Sequence, residues 1–148
     1  MADDLIDRLL VQTGLYVGTD RSPIEDYPDP QIARIVVSAL PGRSGIMFDY
    51  EGLSPPNQEG RLPHLEHAVL ARTANGLALY TANIHAPVLV ELRETEPGYF
   101  VAVEGSSPFP LAIRIELPSA GRLVYTWLFA DPGGEVAVRN IGDVTLVT

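Results

Sequence analysis

The sequence predicts an all-β fold: an antiparallel up-and-down barrel of about ten strands behind a short N-terminal helix. Three observations predict it. After Gly14, apolar and polar residues alternate with a period of two over most of the chain, the pattern of half-buried strands. Turn residues interrupt that pattern at short intervals, and 13 Gly and 13 Pro in 148 residues are more than a helical bundle tolerates. No stretch between candidate strands can hold the crossover helix that a parallel pair requires. Hydrophobic residues make up 46% of the chain and charged residues 20%. That balance excludes general disorder, and residues 1–148 read as a single domain with its own core.

The elements follow in order. Residues 3–12 read as an amphipathic helix, because Leu5, Ile6, Leu9 and Leu10 share one stripe. Asp3 and Asp4 favour its N-terminus, and Gly14 ends it. LYVGTD is the first candidate strand. The segment 21–31 holds three prolines and reads as a loop. IARIVVSAL and GIMFDYEGL follow, split by Pro41-Gly42, and SPPNQEGR forms a second irregular stretch. HLEHAVLART and LALYTANIH flank Asn75-Gly76, a strong hairpin signal. VLVELRE and YFVAVEG flank Pro97-Gly98, which suits a type II turn. LAIRIEL and LVYTWLF flank Ser119-Ala120-Gly121. EVAVRNIGDVTLVT closes the chain after Asp131-Pro132-Gly133-Gly134.

Composition excludes several functions. A formal net charge of −9 argues against nucleic acid and against docking on anionic membranes. With no Cys there are no disulfides, thiolate nucleophiles or Cys-ligated metals. No apolar run spans a membrane, and the acidic MADDLIDRLL is not a signal peptide, so a cytoplasmic protein is expected. The nucleophile elbow, the P-loop and the dinucleotide fingerprint are all missing.

At Gly14-Leu15-Tyr16-Val17-Gly18 the first strand resembles the opening signature of the calycins. Lipocalins start their barrel with Gly-x-Trp after a short helix, and the nitrobindin-like branch extends this to Gly-x-Trp-x-Gly-x-Gly. Here Tyr16 stands where Trp is usual, and Asp20 replaces the last Gly. The layout of a helix followed by about ten strands is similar to nitrobindins and fatty-acid-binding proteins over the whole chain. The resemblance implies a barrel that carries a small molecule. It does not extend to haem, because the nitrobindin-like ligand is a His near the C-terminus and EVAVRNIGDVTLVT has none. Nor does the fatty-acid anchor carry over, since Arg139-Asn140-Ile141 has Ile where an Arg-x-Tyr pair needs Tyr. No haem or other cofactor is expected.

His64, Glu66, His67 and His85 form the only metal-like cluster in the sequence. Strand alternation sends His64 and His67 to opposite faces, so no metal site is expected. With Asn75-Gly76 as a two-residue turn, Glu66 faces His85 as a surface pair. His67 then shares a row with Val69, Ala71, Tyr80, Ala82 and Ile84, whose small side chains leave room beside a His and a Tyr. Tyr125 and Trp127 share a row with Leu123 and Phe129. His67, Tyr80, Tyr125 and Trp127 are therefore the expected ligand-binding residues, pointing into one cavity. Arg114 reads as an outward charge, or as an internal anchor if its strand inverts.

The expected function is a non-catalytic binding protein for a small apolar or amphipathic molecule. No catalytic residue is assigned. The alternative is a barrel-cavity enzyme of isomerase or cyclase type that uses His67 or a Tyr as acid–base group. The remaining possibilities are an interaction module binding through its outer face and a homodimer.

Overall fold

A computed structural model describes residues 3–23, 29–55, 62–130 and 134–148. The helix α1 (Leu5–Leu10) is shorter than its periodicity suggests. It starts where Asp4 and Asp7 form a reciprocal capping box, each side chain accepting from the other's backbone N–H. Ten strands follow: β1 (Gly14–Arg21), β2 (Gln31–Ala39), β3 (Gly45–Leu53), β4 (His64–Thr73) and β5 (Gly76–Asn83). The second half holds β6 (Ala86–Glu96), β7 (Tyr99–Ala102), β8 (Leu111–Ser119), β9 (Arg122–Phe129) and β10 (Ala137–Leu146). Every neighbouring pair is antiparallel, and β1 pairs with β10 to close the barrel. Among the described residues, closure leaves no strand at a sheet edge. No described helix is long and apolar enough to cross a membrane.

The turns follow their residue chemistry. Gly98 and Gly121 take positive φ of 76° and 73° in the β6–β7 and β8–β9 turns, where a Cβ would be strained. The β4–β5 turn differs in register from expectation. Thr73 pairs with Gly76, so Ala74 and Asn75 form its tip, and Glu66 faces Asn83 rather than His85. The predicted loop residues 24–28, 56–61 and 131–133 lie outside the described residues.

The two ends of the barrel differ. At one end α1 buries Leu5, Ile6 and Leu9 in the core with Ile46 and Leu70. Polar bonds fix it there: Arg8 donates to the Leu117 carbonyl, Gly121 N–H donates to Gln12, and Arg72 forks onto Asp4 and Asp7. Tyr16 of the Gly-x-Tyr-x-Gly stretch donates to the Gln12 carbonyl at 2.5 Å, joining the helix exit to the first strand. A Cβ at Gly18 would lie 2.0 Å from the Asp143 carbonyl, so this glycine permits β1 to approach β10. A ten-stranded barrel behind a short helix is compatible with the calycin layout.

At the other end the interior turns polar. Asp20, Gln31, His64, Glu66 and Thr81 are all buried there. Trp127, Tyr50 and Tyr125 fill the space between them. Interior volume in this barrel is therefore largely taken by its own side chains, as in small barrels generally.

Candidate functional site

Glu66 is the hub of the polar end. Its side chain is fully buried, and four side chains reach it from three strands. Oε1 lies 3.0 Å from His64 Nε2 and accepts from the Trp127 indole N–H at 2.8 Å. Oε2 accepts from Thr81 Oγ1 at 2.5 Å and from the Tyr125 hydroxyl at 2.9 Å. A carboxylate offers about four acceptor positions, so these contacts saturate it. Indole N–H can only donate, and the two hydroxyls turn to donate. The same logic places a hydrogen on His64 Nε2, and in a neutral ring Nδ1 is then the acceptor.

A second buried carboxylate adjoins the first. Tyr50 donates to Asp20 Oδ2 at 2.9 Å, and Asn140 Nδ2 approaches the Tyr50 hydroxyl at 3.4 Å. Glycines make room for this pair. A Cβ at Gly52 would lie 2.3 Å from Asp20 Oδ2, and one at Gly142 would lie 2.2 Å from the Tyr50 hydroxyl. The rings interlock, with Tyr50 against His64 at 4.3 Å and His64 edge-on to Trp127 at 5.1 Å. Burial, and then the nearby carboxylates, push the Tyr50 and Tyr125 hydroxyls well above the ordinary tyrosine range.

Above this floor lies a pocket of about 130 Å³ that opens at the end opposite α1. His64, His85, Trp127 and Phe129 supply its rings, and Gln31 and Asn140 its amides. A larger groove of about 380 Å³ lies outside the barrel, between Val101, Phe109 and Val136. It lacks the buried polar residues of the end pocket, so the end pocket is the better candidate site.

Of the four expected site residues, Trp127 alone lines the end pocket. Tyr125 and Trp127 are buried and point inward. The placement of His67 and Tyr80 is corrected. The His67 side chain is 68% exposed beside Asp49 at 3.4 Å. Tyr80 pairs with the outward-facing Val69. The four do not share a cavity. The changed register does not explain this, because it moves the pairing by two residues and preserves the faces. The choice of face does. Glu66 makes its own row look like the wet one, yet the four donors inside the barrel bury it. For the same reason the expected Glu66–His85 surface pair is replaced by a buried Glu66–His64 contact. Arg114 faces outward, stacked over the Tyr99 ring at 4.9 Å.

Asp20, Tyr50 and the central part played by Glu66 were missed by sequence reasoning. The mid-strand glycines Gly52 and Gly142 were the available signal, since each marks a close approach. No group of three or more metal-ligating side chains occurs among the described residues.

No protein-family model matches the chain, and no curated protein is found to be a relative.

Proposed function

We propose that the chain is a non-catalytic binding protein of calycin type, which holds a small molecule in the end pocket of its barrel. The observation that carries this reading is the floor of that pocket. His64 and Trp127 line it, and both are locked in orientation by Glu66 beneath. A site whose polar groups are fixed before the ligand arrives avoids much of the ordering cost of binding. The apolar or amphipathic character expected from the sequence suits the ring-lined walls. It does not suit a long chain threaded through the core, where Phe48, Phe100 and Tyr16 are fully buried.

Native mass spectrometry of protein purified gently from its own host tests the reading. A retained small molecule of defined mass, lost on Trp127→Ala, supports it. Bare protein under conditions that keep the fold intact counts against it.

The Glu66–His64 contact favours one second reading, an acid–base enzyme. A carboxylate that orients an imidazole next to a cavity is the geometry of a general base. His64 then takes the part that the sequence suggested for His67. Chemical conversion of the retained molecule by the native protein, abolished in His64→Gln, would select this reading over simple binding.

A further inference from the structure

We infer that the end pocket takes a single-ring aromatic molecule that donates a hydrogen bond and carries no negative charge; this rests on the binding reading above. Size, wall chemistry and polar character converge on that class.

The pocket measures about 130 Å³. An apolar protein cavity of about 150 Å³ accepts benzene, so this pocket has the size that holds one ring. The walls suit a flat ring. Trp127 and Phe129 offer aromatic surfaces, and the His64 and His85 rings lie 6.0 Å apart. Edge-on and offset contacts with such walls favour an aromatic guest over an aliphatic one of equal volume.

Three of the polar side chains that line the pocket present acceptors. His64 spends its Nε2 hydrogen on Glu66, and the neutral ring then offers the lone pair of Nδ1. Gln31 spends its amide hydrogens on Ser54 Oγ and the Leu62 carbonyl, which leaves its oxygen. Asn140 turns its amide nitrogen to Tyr50, which again leaves the oxygen. Arg139, the one Lys or Arg among the described lining residues, donates to the Phe129 carbonyl at 3.0 Å and lies over its ring. Beneath the floor sit the carboxylates of Glu66 and Asp20. Their negative field is felt by neighbouring hydroxyls and opposes any anion in the pocket. A buried acceptor is also costly to cover with a group that cannot donate. The pocket therefore selects for an N–H or O–H on the ring and against a carboxylate or phosphate.

Phenol, toluene and benzoate make the test, because they share the ring and differ in the feature at issue. Each is titrated into the full chain by calorimetry, with the emission of Trp127, the chain's one tryptophan, reporting whether binding is at the pocket. Phenol is expected to bind about three- to tenfold tighter than toluene, the worth of one net hydrogen bond. Benzoate is expected to bind at least about tenfold more weakly than phenol. In His64→Phe, which circular dichroism shows folded or not, the preference for phenol over toluene should shrink to within about twofold. The wild-type order stands as a test even if that variant does not fold. Benzoate binding as tightly as phenol, no preference for phenol over toluene, or binding that leaves Trp127 emission unchanged would overturn the inference. If the native protein retains a small molecule while the probe order is wrong, this inference fails and the binding reading stands. If no probe binds and nothing is retained, both fail.

Discussion

A carboxylate at the centre of a barrel is tolerable only because everything around it donates. Glu66 has no exposure and four donors, so its environment replaces the water it lost. The arrangement is asymmetric with respect to damage. Glu66→Ala strands the Trp127 indole, the Tyr125 and Thr81 hydroxyls and His64 together. It is expected to cost about 3–5 kcal/mol, read as a lower urea midpoint with an unchanged slope. Glu66→Gln keeps the shape but turns an amide hydrogen toward donors, and should cost less. Tyr50 and Tyr125 make a pH prediction. Their folded-state affinity for the proton is raised, first by burial and then by the carboxylates. The stability this contributes is intact below the ordinary tyrosine value near 10 and is lost as pH rises above it, because only the unfolded chain then releases the protons. Alkaline titration followed by tyrosinate absorbance should show two of the tyrosines ionising only with unfolding. All six titrating together in the native state would contradict the burial of this pair.

At the scale of the element, backbone approach governs which strands can carry the site. Gly52 on β3 and Gly142 on β10 stand where a Cβ would collide with Asp20 and the Tyr50 hydroxyl. Gly52→Ala and Gly142→Ala are each expected to destabilise by about 1–3 kcal/mol through overpacking, measured by chemical denaturation. Neither should change the barrel's circular dichroism. The helix α1 is held by different means, with Arg72 bonded to both Asp4 and Asp7 at its start. These groups are partly exposed, so Arg72→Ala should cost only about 0.5–1 kcal/mol globally. Its clearer signature is faster hydrogen exchange in α1 than in β4. Elements of this kind were legible in the sequence. Leu5, Ile6 and Leu9 announced the helix stripe, and the ten apolar runs became ten strands. The face of β4 was not legible. His64, Glu66, Ala68 and Leu70 compete with Leu65, His67, Val69 and Ala71 for the interior, and hydrophobicity favours the second row. The first wins because Trp127, Tyr125 and Thr81, far apart in sequence, arrive with hydrogens to donate. Alternation within one hairpin contains no information about donors on other strands. The β8 and β9 rows were read correctly, since Ile113, Ile115, Tyr125 and Trp127 have no charged rival on the inner face.

Taken whole, the molecule is a barrel closed at one end by an apolar helix and left polar at the other. The C-terminal ends of β1, β3 and β9 and the N-terminal ends of β2, β4 and β10 all lie at the polar end, as the up-and-down order requires. The net charge of −9 reinforces the carboxylates beneath the pocket and bears on which ligands approach it. The central claim is that a small molecule sits on the floor formed by Trp127 and His64. The indole N–H resonance of Trp127 tests it most directly, because the chain has one tryptophan and its N–H is bonded to Glu66. In a two-dimensional ¹H–¹⁵N spectrum, titration with phenol should move that resonance saturably, together with the ring signals of His64, while the exposed His67 ring stays still. Saturable binding that leaves the Trp127 and His64 signals in place, or that moves His67 instead, would contradict the account.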